Sequence, residues 1–162
     1  MATNTYTALQ TQVLGSSAAS VTFTGISQAY TDLVLICNPN NASSTNTKVQ
    51  VGNGSLDTGT NYSATQLYGN GSSAASLRVT STNYALGGVN GGYSNQTIHF
   101  MNYSNTTTYK TILSRGNASS AYIDAAVSTW RSTSAINTIM VQQDGGSYPA
   151  GSTFTLYAVQ AA

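Results

Sequence analysis

Few side chains in this 162-residue sequence can act as an acid or a base: it has one histidine, four aspartates and no glutamate. A hydrolytic triad needs a base hydrogen-bonded to a nucleophile and an acid that orients the base. His99 is the one histidine available, and no Gly-x-Ser-x-Gly nucleophile elbow accompanies it. We therefore expect a structural role for His99, exposed or hydrogen-bonded on one face of a strand.

Paired carboxylates are the second chemistry to consider, since glycoside hydrolysis needs two of them across a cleft. Asp32 opens an apolar run and Asp144 lies in the turn signal QDGG, so both are expected to serve turns. Asp124, in YIDAAV, is expected to face outward. A small glycan-active enzyme would require Asp57 and Asp124 to converge, and we predict instead that the protein has no catalytic residues and is not an enzyme.

No metal or cofactor site is predicted either. Zinc needs a Cys/His cluster, but Cys37 is the only cysteine, and its apolar surroundings DLVLIC favour a small buried side chain. The stretch GNGSLDTGTN could offer Asp57 to calcium, yet a single carboxylate without D-x-D-x-D-G spacing is weak ligation. The stretch GNGSS has no following lysine and is not a phosphate loop.

The composition excludes several partners. Only 6% of residues are charged, against about 25% in an average soluble domain, and the net charge is +1. This gives no basic footprint for nucleic acid, and no apolar run is long enough to span a membrane. The first residues lack the pattern of a signal peptide. A near-neutral surface favours close association, which suits a subunit of an assembly.

The chain reads as β-structure almost throughout. It is 40% hydrophobic with 11 tyrosines, and short runs rich in Val, Ile, Thr, Tyr and Phe are bounded by Gly, Asn and Ser. In TIHFMNY, Ile98 and Phe100 share one face while His99 and Met101 share the other. We predict eleven strands, at 5–13, 20–24, 31–37, 48–51, 63–68, 77–80, 97–103, 109–114, 121–128, 135–143 and 153–159.

This number of strands without helices predicts an all-β, antiparallel β-sandwich. A jelly roll is the first choice, because eight strands and a few additional ones fit the length; immunoglobulin-like and galectin-like sandwiches are the alternatives. One domain is expected over 1–162, with a short N-terminal arm at about 1–5. The hexapeptide GSSAAS occurs at 15–20 and 71–76. Its flanks differ, so we interpret both copies as turns that precede strands.

Three stretches are predicted to be irregular: 37–47, 52–61 and 85–95. Loops at the ends of sandwiches often carry binding surfaces, and Tyr, Trp, Asn and Ser are typical of adaptable ones. Trp130 could contact a partner or fill the core at a strand end, and both interpretations stay open. The predicted partner-contact residues are Asn38, Asn40, Asn41, Tyr93, Trp130 and Arg131.

Several phrases of the sequence resemble small virion proteins of tailed bacteriophages, many of them from aquatic phages including cyanophages. They are LGSSAASVTFTGI…YTDLVLI, TGTNYSATQLYGNGSSAAS, AAVSTWRSTSAINTI and AGSTFTLYAV, and the resemblance runs from about Leu14 to Val159. It implies a structural protein on the virion surface, made in the host cytoplasm without a signal peptide. It also implies a homo-oligomer, for which a trimer is expected, and it carries over no catalytic residues.

Two roles compete under this resemblance. One is a capsid decoration or cement protein that binds the outer surface of the major capsid shell or other virion proteins. The other is a tail-fibre or receptor-binding module that recognises host surface glycans. The chain has no coiled coil and no shaft repeat. The compact decoration protein is therefore the favoured expectation.

Overall fold

The computed structural model describes residues 5–40, 42–119 and 122–160, and within these ranges the chain forms β-strands and no helix. All strand pairs are antiparallel. The strands are β1 Tyr6–Val13, β2 Ser20–Phe23, β3 Asp32–Asn38, β4 Ala42–Asn53, β5 Ser55–Leu56, β6 Tyr62–Gly69, β7 Ala74–Thr82, β8 Ala85–Gly92, β9 Gln96–Met101, β10 Lys110–Ala118, β11 Tyr122–Trp130, β12 Thr138–Gln143 and β13 Thr153–Val159.

The strand order confirms the predicted all-β sandwich and gives it the topology of a jelly roll. One sheet begins β1-β13-β3-β9, and the other contains β2-β12-β4, with β8 also paired to β4. We number these eight strands from first to eighth in the order in which they occur along the chain. One sheet then has the order first, eighth, third, sixth, and the other has the order second, seventh, fourth, fifth. Two interleaved Greek keys produce this order.

The additional strands widen one sheet only. After β9, the larger sheet continues through β10, β11, β6 and β7, which makes it eight-stranded. The smaller sheet covers only part of this width, so the strand at the far edge, β7, is exposed along most of its length. The larger sheet consequently presents a broad outer surface to solvent.

The core lies between the two sheets and follows the alternation read from the sequence. Ile98 and Phe100 of β9 are fully buried, as are Phe154 and Leu156 of β13. From the smaller sheet, residues such as Ile139 enter the same cluster. Cys37 is also buried, as expected, and its burial raises the pKa of the thiol.

Two of the three predicted loops are wrong, because most of their residues form strands. In the stretch 37–47, β3 ends at Asn38 and β4 begins at Ala42. The stretch 85–95 consists mainly of β8, whose sequence is ALGGVNGG. Glycine-rich sequences usually disfavour strands, since glycine loses more conformational freedom and offers no side chain to pack. Contacts from other strands must therefore stabilise β8.

Side chains of the larger sheet supply these contacts by hydrogen-bonding to the backbone of β8. Ser128 Oγ accepts the Leu86 N–H at 3.1 Å, and Ser114 Oγ donates to the Leu86 carbonyl at 2.9 Å. Gln96 Nε2 donates to the Val89 carbonyl at 2.9 Å. A Cβ atom on Gly87 would come within 2.7 Å of a Thr47 methyl group, so glycine is needed for this close approach.

Asp124 belongs to the same set of contacts, and the prediction that it faces outward is wrong. It is only 7% exposed. Its Oδ1 accepts the Val89 N–H at 3.1 Å, and its Oδ2 accepts a hydrogen bond from Gln66 Nε2 at 2.5 Å. Burial raises the pKa of Asp124 and outweighs the hydrogen bonds from Val89, Gln66 and Gly116.

We expect Asp124→Ala to lower the free energy of unfolding by about 1–3 kcal/mol, because it leaves the Val89 N–H and the Gln66 amide buried without partners. Asp124→Asn should be close to neutral at pH 7, since an amide oxygen still accepts the Val89 N–H and Gln66 can turn its own amide over. Urea unfolding of the two variants measures the difference. Equal losses in both would contradict this assignment.

The pH dependence gives a second check on Asp124. Its folded-state pKa lies above the unfolded-state value. The stability linked to its protonation is therefore present at low pH and lost as the pH rises through the folded-state pKa. Asparagine does not titrate, so Asp124→Asn should gain stability relative to the wild type as the pH is raised.

Both copies of GSSAAS precede strands, as predicted. The first leads into β2, which begins at Ser20. The first half of the second copy lies in the turn between β6 and β7, where Asn70 Oδ1 accepts the backbone N–H groups of Ser72 and Ser73, and its second half begins β7 at Ala74. Gly71 has a φ of +84° in this turn, a conformation that favours glycine.

Candidate functional site

His99 takes part in a small hydrogen-bonded group on the outer surface of the larger sheet. Its Nε2 lies 2.9 Å from Asp32 Oδ2, and the other oxygen of Asp32 accepts the Asn102 N–H at 2.6 Å. Asp32 thus holds the turn after β9 as well as the imidazole. His99 is thus hydrogen-bonded on one face of a strand, as expected.

Asp57 and Asp124, the two aspartates considered as a carboxylate pair, lie near opposite ends of strand β11. Asp57 Oδ2 accepts the Trp130 indole N–H at 2.7 Å, whereas Asp124 lies near the start of the same strand. Six residues of strand separate Asp124 from Trp130, about 20 Å at the usual rise per residue. Glycosidase carboxylates stand about 5–10 Å apart, so Asp57 and Asp124 do not form such a pair.

Trp130 is a core residue, in agreement with its interpretation as a side chain that fills the core at a strand end. The side chain is 3% exposed and packs within the main core cluster at the end of β11. Its indole N–H is satisfied by Asp57, which also accepts hydrogen bonds from Asn61 and the Gly59 N–H. Partial burial would raise the pKa of Asp57, but these hydrogen bonds outweigh it and hold the pKa below its usual value.

The other predicted contact residues fall into two places. Arg131 follows β11, and its guanidinium donates to the Thr60 carbonyl at 2.6 Å. Asn38 and Asn40 come together with Tyr93 at one end of the sandwich, although Tyr93 follows them by more than fifty positions in sequence. Asn41 lies outside the described residues.

The depression at this end of the sandwich, here called the loop pocket, has a volume of about 300 Å³. Tyr93 is 71% exposed beside it. Asn40 is held by the turn before β13: its N–H donates to Ser152 Oγ and its side-chain amide to the Ala150 carbonyl, both at 2.9 Å. The residues lining the loop pocket are Asn38, Pro39, Asn40, Tyr93, Ser94, Asn95, Gly151 and Thr153.

A larger apolar surface covers the outside of the eight-stranded sheet. Strand register aligns one row of side chains across six strands. A shallow groove of about 550 Å³ runs over its centre. We call this surface the outer sheet face and define it by the row Thr65, Val127, Leu113, His99, Val34 and Tyr157 together with the neighbouring Tyr6, Leu67, Ala125 and Arg115.

Exposure of large apolar side chains on this face is high for a β-sandwich. Leu67 is 64% exposed and Val127 is 51% exposed, and they lie on adjacent strands β6 and β11. Tyr6 packs edge to face on Tyr157, with ring centroids 6.4 Å apart. A contiguous apolar surface of this kind is typical of a site that contacts another molecule.

Three of the five basic side chains lie on or beside the outer sheet face. Lys48 pairs with Asp144 at 2.8 Å, and Lys110 is buried against backbone carbonyls. Arg78, Arg115 and Arg131 lie on or beside the outer sheet face, and within the described ranges no acidic side chain forms an ion pair with them. The face therefore combines apolar area with three guanidinium groups that form no ion pair among the described residues.

Comparisons with known proteins add no family assignment: no family model matches the sequence, and a search of curated proteins found no significant match. The described residues contain no cluster of three or more metal-ligating side chains. They also contain no helix of the length and apolar character that crossing a membrane requires.

The outer sheet face was not predicted from the sequence, although the sequence contains a pattern that indicates it. In NYSATQLYG and YIDAAVSTW, apolar residues occupy both alternating positions, so Leu67, Ile123 and Val127 oppose the buried face. A strand with one solvated face normally carries polar residues there. This departure from alternation was the available indicator of a second apolar face.

Proposed function

We propose that this protein is a non-enzymatic structural protein of a bacteriophage virion, and that it acts as a decoration protein on the outer surface of the capsid. The outer sheet face is the surface that would bind the shell. The proposal rests on the sequence resemblance for the phage setting. The observation that carries it on the structural side is the outer sheet face, where exposed apolar side chains such as Leu67 and Val127 lie near arginines that have no ion-pair partner among the described residues.

The size of the face supports this role. The outer sheet face extends over seven strands, which span about 29 Å at about 4.8 Å between strands. Six residues along a strand span about 20 Å, which gives about 600 Å². Stable protein interfaces bury about 800 Å² on each partner. One sheet face of this protein is therefore close to the area that a specific contact needs.

The chemistry of the face points to the character of the shell surface. Aromatic residues and arginine are enriched at the energetic centres of interfaces, and Tyr6, Tyr157 and Arg115 provide both. Unpaired guanidinium groups favour a partner with exposed carboxylates. We expect an apolar patch bordered by acidic side chains on the major capsid protein, and neighbouring copies of this chain to complete a homo-oligomer.

Copy number in the virion tests the capsid role most directly. Quantitative mass spectrometry of purified particles should find hundreds of copies per virion, because a decoration protein occupies repeated sites on the shell. Purified protein should also bind empty shells of the same phage and raise their melting temperature. A few to tens of copies, together with no binding to shells, would overturn the proposal.

A receptor-binding module of the tail is the second candidate function, and the loop pocket is the observation that favours it. An exposed tyrosine beside several amide groups suits recognition of host surface glycans. In that case the recombinant protein should block phage adsorption to host cells at saturating dose. Failure to compete would reject this second function and leave the capsid role standing.

A further inference from the structure

The polar atoms of the loop pocket are unusual because few of them have partners within the protein. Asn38 Nδ2 donates to Thr153 Oγ1 and Asn40 Nδ2 to the Ala150 carbonyl. Among the described residues, no hydrogen bond uses the side-chain oxygen of either asparagine or the side-chain amide of Asn95. The lining of this depression therefore offers both acceptors and donors to a ligand.

Ser94 adds a hydroxyl group that the fold leaves unsatisfied. Its side chain is 3% exposed and lines the loop pocket, and within the described part of the chain its Oγ has no hydrogen-bond partner. Burying a hydroxyl without a partner costs about 1–3 kcal/mol. A ligand that hydrogen-bonds to this hydroxyl would remove that cost.

The pocket contains no ionised group. Its eight lining residues are all uncharged, so nothing there compensates a carboxylate, a phosphate or an ammonium. A ligand that matches it must offer several neutral hydroxyl or amide groups at close spacing. It must also offer an apolar face for the Tyr93 ring, which is rigid and largely exposed.

We propose that the loop pocket is a binding site for a neutral saccharide, such as an uncharged hexose or N-acetylhexosamine at a chain end. The C–H face of the sugar ring lies on Tyr93, and its hydroxyl groups pair with Asn38, Asn40, Asn95 and Ser94. The proposal deepens the second candidate function and rests on it for the biological setting. Sugar binding by the isolated protein is independent of capsid binding.

The test uses the intact protein and a panel of methyl glycosides of glucose, galactose, mannose and N-acetylglucosamine, with N-acetylneuraminic acid as the charged comparison. Saturation-transfer NMR and titration should detect at least one neutral sugar with an affinity in the millimolar range. Tyr93→Ala should weaken that binding by tenfold or more. Tyr109→Ala, which removes a tyrosine that is 58% exposed elsewhere, should leave it unchanged.

Ser94→Ala separates a binding role from a structural one. It removes a hydroxyl group that the fold does not use, so the melting temperature should stay the same or rise, whereas affinity for the sugar should fall several-fold. Binding of none of the neutral sugars would overturn the proposal, as would a preference for N-acetylneuraminic acid or equal loss in Tyr93→Ala and Tyr109→Ala. If the same preparation bound no neutral sugar but still bound shells, the saccharide site would be rejected and the capsid role would stand.

Discussion

Trp130→Ala should lower the free energy of unfolding by about 3–5 kcal/mol, the usual cost of truncating a large buried aromatic side chain. Trp130 is 3% exposed and closes one end of the core, where β11 is paired with Tyr62 of β6 and Lys110 of β10. The truncation removes this apolar contact and leaves a cavity. A loss of this size is a large fraction of the stability of an ordinary domain.

Trp130→Phe is the matched variant, because it keeps most of the apolar volume and removes the indole N–H together with a small part of the ring system. It should cost about 1–2 kcal/mol, since Asp57 then loses the hydrogen bond from Nε1. The pKa of Asp57 should rise toward its usual value. Denaturant unfolding followed by circular dichroism measures both variants.

Acid sensitivity separates the packing of Trp130 from its hydrogen bond. The folded-state pKa of Asp57 is depressed, so its contribution to stability is present above the unfolded-state pKa and lost as the pH falls through the folded-state pKa. This pH-dependent part should shrink in Trp130→Phe. A stability loss below 1 kcal/mol in Trp130→Ala would contradict the role of this residue in the core.

The second large effect is expected on the outer sheet face. Under the proposed capsid role, the double variant Leu67→Asp with Val127→Asp should weaken binding to empty shells by 100-fold or more. Both side chains are largely exposed on adjacent strands, and carboxylates there would be desolvated in the contact without partners. The introduced negative charges would also oppose an acidic shell surface.

The fold should tolerate this double variant, because neither side chain belongs to the core. Circular dichroism and the melting temperature should match the wild type to within a few degrees. Leu77→Asp provides the control: Leu77 is 42% exposed and pairs with the buried Gln66, so it lies on the opposite side of the sheet from Leu67, and this variant should bind shells normally. Normal shell binding by the double variant would exclude this face as the docking surface.

Arg115 allows a finer measurement on the same face. Arg115→Glu reverses a charge that has no ion-pair partner within the described residues. Its main effect should be on the association rate and its salt dependence, as is usual for charges that guide an encounter. Surface plasmon resonance at several salt concentrations measures both.

The strands that could be predicted were those whose sequence alternates or is continuously apolar. The runs around Val21, Leu33, Phe100 and Phe154 each form a strand with the expected buried side. Low charge, scarce helix formers and frequent turn residues were enough to define an all-β sandwich. These features depend on neighbouring residues in the chain, so they can be recognised in a single sequence.

The strands that were not predicted are stabilised by side chains distant in the sequence. Strand β8 is rich in glycine, and its backbone is held by Ser114, Ser128 and Asp124 of the opposite sheet. No local pattern marks such a segment, because its partners lie 28 to 42 residues away along the chain. For the same reason Asp124 looked like a surface residue in YIDAAV.

The sequence by itself determined an all-β sandwich with a buried Cys37 and with His99 on one face of a strand. Only the tertiary structure decided that Asn38, Asn40 and Tyr93 share one pocket, that Trp130 is internal and that Leu67 and Val127 form an exposed face. The physical reason is that strand alternation fixes which side chains share a face. Which face is covered depends on the width of the opposing sheet, and that is set by long-range pairing.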